Sequence, residues 1–317
     1  MLQYILDHTV HMGILMVLAL SLNLINGYTG MFSLGHHGFF AVGAYAAGAF
    51  LLYGFPPHAG LGVGILFFAL SVLVGVLAAA AFGVVVGVPC LRLRGDYLAI
   101  ATLGFGEIVR IVVQNTEAVG GARGMEVPYL MITRGVDTQL QYVLLYFGLA
   151  AASVVVTYVV IRNLLRSTHG RAMISIREDE TAAELLGVNL VKYKLLAFVI
   201  GSGFAGLGGA LYVNYMTQIE PKEFNLIKGI YILLYVVLGG MGSMSGTVIA
   251  TALLYILDKM VLNLLPPEIQ SWREVAFALM LVILMIVRPQ GLLGNKEIYE
   301  TALWRKLFGR GAKKEEA

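Results

Sequence analysis

Asn23, Asn26, Thr29, Ser33 and His36 form a polar series through an otherwise apolar part of the chain, with Gly27, Gly30, Gly35, Gly38 and Gly43 interleaved. Amides, hydroxyls, an imidazole and bare backbone can bind a small polar solute. Irregular backbone at membrane depth is tolerated where it is buried in protein or lines a watery cavity. The series therefore points to a transit surface, with Asn26, Ser33 and His36 as its expected lining. Helix ends at such a break aim N–H groups at a carboxylate and carbonyls at an ammonium. That suits a zwitterion, and Phe32, Leu34, Phe39 and Phe40 suit an aliphatic side chain. The plainer alternative is a polar contact between helices. Glu107 and Arg110 stand three apart on an apolar segment and read as a structural ion pair, with Glu107 also a candidate for the path. His8 and His11 share a helix face and read as interfacial side chains, and no metal site is expected.

The second cluster is cytoplasmic in character. Within Gly170–Asn189, Arg177, Glu178, Asp179, Glu180 and Thr181 are followed by an apolar stripe of Ala182, Ala183, Leu185 and Leu186. Asp179 is a natural N-cap and Glu180 suits the positive end of the helix dipole. Gly187 can take the left-handed conformation that stops a helix. The spacing predicts a helix of roughly two turns, too short to stand alone in water. It needs a partner surface.

The elements that must position these groups are membrane spans. Of 317 residues, 58% are hydrophobic and 13% charged, and the mean hydropathy is +0.81. Soluble domains average about 25% charged residues. Apolar segments fall near 10–26, 31–53, 61–88, 97–114, 139–162, 195–217, 226–241, 245–264 and 274–287. The second and seventh are glycine-rich and read as broken or re-entrant. The expected fold is all-α, a polytopic transmembrane helical bundle of about 8–9 segments. The N-terminal run has no basic residue before it and no small-residue cleavage site, so it is expected to be a span and not a leader.

Positive charge sets the expected orientation. Arg162, Arg166, Arg171, Arg177, Lys192 and Lys194 cluster after the fifth segment, Arg92 and Arg94 follow the third, and Arg305, Lys306, Arg310, Lys313 and Lys314 close the chain. These belong on the cytoplasmic side. The organisation is then a membrane domain over 1–304, with a cytoplasmic loop at 163–194 and an external loop at 115–138, and a basic cytoplasmic tail at 305–317. The expected location is a bacterial inner (plasma) membrane, multi-pass, with the C-terminus inside.

Gly201, Gly203 and Gly206 match a dinucleotide fingerprint, but inside an apolar helix, without the strand that motif requires. Gly201, Ala205 and Gly209, and likewise Ala44 and Gly48, read as close helix packing. No phosphate-binding loop, serine elbow, zincin motif or cysteine pair occurs; Cys90 is the single cysteine. An intramembrane enzyme would need a catalytic pair, and none has recognisable spacing. An ion-coupled secondary transporter would place ionisable groups at mid-membrane, which only Glu107 and the histidine pair His36–His37 support.

The stretches LSLNLINGYTGMFSLGHHGFFAVGAYAAG, LRLRGDYLAIATLGFGEIVRIV, GRAMISIREDETAAELLGVNLVKYKLLAF with GSGFAGLGGALY, VLGGMGSMSG and RPQGLLG stand in that order along nearly the whole chain. Together they resemble the LivM-type permease subunit of branched-chain amino-acid ABC importers, with urea and short-chain amide permeases as close relatives. The resemblance implies a membrane subunit that is not itself an enzyme. It has no cofactor of its own, since ATP and magnesium belong to two separate ABC ATPase subunits. A homologous second permease chain and a soluble extracytoplasmic binding protein complete the expected complex. The resemblance also implies that residues 177–187 are the coupling segment that docks on an ATPase.

Overall fold

The computed structural model describes residues 2–56, 61–93, 95–127 and 139–261, with isolated positions at 272, 275, 279, 282, 283, 286, 291, 292 and 294. The fold is an all-α membrane bundle. Helix α1 (Leu2–Asn23) runs on through a wider π-helical turn at Leu24–Tyr28. After a non-helical link come α2 (His36–Gly54), α3 (Leu61–Cys90), α4 (Asp96–Gln114) and α5 (Gln139–Arg166). Two short helices follow, α6 (Thr168–Glu178) and α7 (Glu180–Leu185). Then come α8 (Leu190–Met216), α9 (Leu226–Gly239) and α10 (Met244–Ile256), the last extended by a π-helical turn at Leu257–Val261.

Five of these stretches are long and apolar enough to cross a membrane: Gln3–Tyr28, His36–Gly54, Gly62–Cys90, Gln141–Arg166 and Leu190–Met216. The first eight expected segments each coincide with a helix. The ninth, 274–287, and the tail at 305–317 lie outside the described residues, apart from isolated positions of the former. The break expected within the second segment falls before its helix, at 29–35, and α2 itself is unbroken. The seventh segment, expected to be broken or re-entrant, forms one short helix. Fourteen residues of α9 span only about 21 Å at 1.5 Å per residue, less than the ~30 Å apolar core of a bilayer.

Helix α8 is the axis, packing against α3, α2 and α1. Small residues make this possible. A Cβ on Gly201 would stand 2.6 Å from Ile25 Cδ1, one on Gly206 2.5 Å from the Gly75 carbonyl oxygen, and one on Gly209 2.6 Å from the Ala44 nitrogen. The glycine run is thus a seam where backbones approach closely, and no nucleotide fold surrounds it. The outer helices α3 and α5 expose Leu66, Leu73, Leu77, Val85, Val155 and Val156, an apolar surface suited to lipid.

The 115–138 loop carries more structure than the sequence suggests. Two 3₁₀ turns, Glu117–Val119 and Gly121–Arg123, lead into a two-residue strand, β1 (Met125–Glu126). It pairs antiparallel with β2 (Gln218–Ile219), Met125 opposite Ile219. Beyond β2, Pro221 and Phe224 are buried, and Phe224 packs on Phe40 and Tyr45 of α2. The chain therefore dips into the bundle before α9 starts.

Candidate functional site

The polar series of the first loop is almost entirely consumed by the chain itself. Asn23 donates to the Ser243 carbonyl (3.0 Å) and to Thr247 Oγ1 (2.8 Å), and accepts from the Gly242 N–H (2.9 Å). One amide thus clasps the α9–α10 turn onto the end of α1. Asn26 exchanges two bonds with the Ser33 backbone, at 3.1 and 3.2 Å, closing the link between α1 and α2. Thr29 donates to the Leu24 carbonyl at 2.9 Å. His36 lies 2.8 Å from Ser21 Oγ. All of these side chains are buried. Unfilled hydrogen-bonding atoms remain at Ser33 Oγ, His36 Nδ1 and His37 Nε2.

The glycines of the same stretch are tightly packed. A Cβ on Gly35 would stand 2.7 Å from the Thr102 carbonyl carbon, one on Gly38 2.7 Å from Gly106 Cα, and one on Gly43 2.9 Å from the Gly206 carbonyl carbon. Gly35, Gly38 and Gly43 are places where backbones approach closely. They are contact points where α2 meets α4 and α8. Asn23, Asn26, Thr29 and His36 likewise hold the joint through their side chains, and Ser33 through its backbone. The polar helix–helix contact, the plainer alternative, is what this stretch forms.

Glu107 accepts from Arg110 Nε at 2.7 Å and lies 3.8 Å from His37 Nε2. The expected ion pair therefore exists, and it also touches the histidine pair through His37. His37 Nδ1 sits 3.2 Å from the Leu34 carbonyl, while the Leu34 N–H donates to Thr102 Oγ1 at 3.1 Å. Neither Ser21 nor Thr102 was singled out in the sequence, because a lone hydroxyl in an apolar helix carries no periodic signal.

At the α5–α8 connection, the short helix forms where its caps predict. Asp179 Oδ1 accepts from the N–H groups of Thr181 (2.8 Å) and Ala182 (3.0 Å). The other end closes with the Gly187 N–H on the Glu184 carbonyl (2.9 Å) and the Val188 N–H on that of Ala183 (3.0 Å). Gly187 has φ +85°, which suits glycine. This is the paired-bond stop of a Schellman motif. The stripe, however, splits. Ala183 is 1% exposed and packs inward, whereas Leu185 and Leu186 are 84% and 83% exposed. Ala183 is therefore not part of an outward docking face; in a helix of six residues one side must rest on the protein. Glu180 does more than favour the dipole, since it holds Lys194 of α8 at 2.5 Å.

Helix α6 was not anticipated. Its signals are Ser167, which accepts from the Gly170 N–H at 3.4 Å, and the buried Gly170, Met173 and Ile176 at spacings of three. Its last turn carries the connection between the two clusters. Arg177 Nη1 donates to the Gly27 carbonyl at 3.0 Å, and Nη2 holds Glu178 at 2.6 Å. Gly30 has φ +71°, and a Cβ there would stand 3.1 Å from Arg177 Cγ. Arg177 thus faces the joint between α1 and α2.

A cavity of about 230 Å³ lies elsewhere, among α1, α2, α8, α9 and the end of α10. His11, Phe40, Tyr212, Lys228, Tyr235 and Asp258 are among its lining residues. His11 therefore belongs to the bundle interior and not to an interface alone. Among the described residues no cluster of three or more metal-ligating side chains occurs.

The sequence model described as branched-chain amino acid transport system / permease component matches residues 4–286. The chain is similar to the high-affinity branched-chain amino acid transport system permease protein LivM of Escherichia coli, 38% identical over 302 residues, which cover 88% of this chain and 68% of that one. LivM of Salmonella typhimurium is 37% identical over the same shares of both chains. LivH of Escherichia coli, another permease protein of a high-affinity branched-chain amino acid transport system, is 25% identical over 299 residues, 89% of this chain and 92% of that one. No solved structure matches the chain.

Proposed function

This chain belongs to the permease family of branched-chain amino-acid transport systems, and from that premise we propose a membrane subunit of an ATP-driven importer for branched-chain or related hydrophobic amino acids. A homologous permease chain forms the other half of the pore, two ATPase subunits supply ATP and magnesium, and a soluble binding protein delivers the solute. The α6–α7 side of the molecule and the basic tail face the cytoplasm, and the full chain crosses the membrane eight or nine times.

The observation that carries the coupling is the leucine pair on α7. Leu185 and Leu186 are more than four-fifths exposed on a helix whose caps and buried Ala183 fix it to the bundle. Two adjacent apolar side chains held out at the end of a membrane protein suit a groove on a partner. Arg177 supports a route inward, since it bonds the backbone of the α1–α2 joint. Coupling is therefore assigned to Leu185, Leu186 and the exposed Ala182, with Arg177, Glu178, Asp179, Glu180 and Gly187 shaping and anchoring the segment.

The test is uptake of L-leucine by vesicles containing both permease chains and the ATPases, with binding protein added outside. Uptake should require ATP inside and should compete with isoleucine and valine, and not with urea or acetamide. Uptake driven by an ion gradient without ATP would replace this reading with a secondary transporter.

A further inference from the structure

We propose that the 230 Å³ cavity between α1, α2, α8, α9 and the end of α10 is a binding site for the zwitterion of a small apolar amino acid, a resting place within the permease itself. This deepens the importer reading and rests on it for the identity of the solute.

Size is the first argument. Cavities for drug-sized ligands run to roughly 300–1,000 Å³, so 230 Å³ suits a smaller molecule. The lining is the second. Lys228 and Lys259 bring positive charge, Asp258 brings negative charge, and Ile14, Leu15 and Phe40 supply apolar wall. An ammonium, a carboxylate and an apolar surface in one small space match the three parts of such an amino acid.

Lys228 is the third and strongest argument. It is half-buried, its Nζ lies over the Tyr212 ring at 5.8 Å from the centroid, and it makes no ion pair among the described residues. A charge kept inside a membrane bundle is costly and usually marks a solute pathway. Asp258, by contrast, holds Lys259 at 3.3 Å. Lys228 is thus the cation available to a solute carboxylate. The asymmetry assigns the solute's ends, carboxylate toward Lys228 and ammonium toward Asp258. The His11 imidazole borders the same space, with Nδ1 buried and unfilled, and can accept from the ammonium or donate to the carboxylate.

The lining also places the site at the boundary between two pairs of helices. It lies between α1 and α2, joined by the 29–35 link, and the short α9 and α10, joined by the loop that Asn23 clasps.

The experiment uses the assembled transporter carrying Cys90→Ser and Leu15→Cys, and measures the rate of maleimide labelling at the introduced thiol. L-Leucine should slow labelling in a saturable way. L-Leucinamide, which lacks the carboxylate, and 4-methylpentanoate, which lacks the ammonium, should each need about tenfold or higher concentration, the scale of one charge-assisted contact. Lys228→Met should erase the advantage of leucine over leucinamide, and Asp258→Asn that of leucine over 4-methylpentanoate. Lys228→Arg should keep it. Equal protection by all three solutes, or none by leucine, overturns the site. The comparison of solutes on the Leu15→Cys protein decides this even if a charge variant does not assemble. Leucine uptake, measured beside it with the Leu15 protein, separates the two readings: absent ATP-driven uptake with selective protection refutes the importer and keeps the cavity, while normal uptake without protection does the reverse.

Discussion

At the scale of single residues, the short helix α7 separates anchoring from docking within six positions. Ala183→Asp would bury an unpaired carboxylate against the bundle, which costs several kcal/mol, so the protein should lose thermal stability in detergent together with its activity. Leu185→Ser combined with Leu186→Ser removes only exposed carbon. Folding should change by less than about 0.5 kcal/mol, while ATPase copurification and ATP-driven uptake both fall at least severalfold. A double variant that keeps full coupling would remove the docking role from this pair. Asn23 is the opposite kind of residue. Asn23→Leu leaves the Gly242 N–H without its side-chain partner, while the Ser243 carbonyl keeps the Thr247 hydroxyl; a buried group left unsatisfied costs on the order of 1–3 kcal/mol. A measurable fall in melting temperature is the expected result, checked by a thermal-shift assay on the purified protein.

At the scale of elements, the glycines of α2 are positions of close approach. Gly43→Val would drive a branched side chain into the Gly206 backbone, where even a Cβ would stand 2.9 Å from its carbonyl carbon. Yield of folded protein should drop, and a transport defect should scale with that loss. Intact assembly with blocked transport would instead restore a passage at this point. Residue types alone made the membrane segments, the caps of α7 and the packing use of Gly201, Ala205 and Gly209 legible, because these depend on neighbours a few positions away. The partners of Gly43 and Asn23 were not legible, since they lie on helices 163 to 224 residues further along the chain. The same polar residues therefore read equally well as a lining or as a clasp, and the clasp is visible only in their bonding. Lys228 and Asp258 escaped notice for a related reason: each sits within an apolar segment with no charged partner at helical spacing, and their shared cavity exists only after α9 and α10 fold back on α1.

At the scale of the whole molecule, two sets of contacts converge on the α1–α2 joint. Asn23 ties it to the α9–α10 turn, and Arg177 ties it to the α6–α7 connection. A push on α7 would reach this joint through one guanidinium. Arg177→Gln should thus lower the number of solutes moved per ATP, read from parallel hydrolysis and uptake measurements, more than it lowers stability. Unchanged coupling would show that force travels another way, for example through Glu180 and Lys194 into α8. Orientation is checked separately. A cysteine at Arg171 in the Cys90→Ser protein should resist an impermeant thiol reagent applied to intact cells, and labelling from outside would invert the assignment.

The clasp by Asn23 also has a consequence for how the protein is made. Its partners lie 219 to 224 residues downstream. At about 5–20 residues per second, the ribosome needs roughly 10–45 s after Asn23 to supply them. During that interval α1 sits in the membrane with a polar amide that its own helix cannot fully satisfy. Nascent chains that stall before residue 242 should therefore be selectively recognised by membrane proteases, and replacing Asn23 with an apolar residue should shield those truncated chains even as it weakens the finished protein.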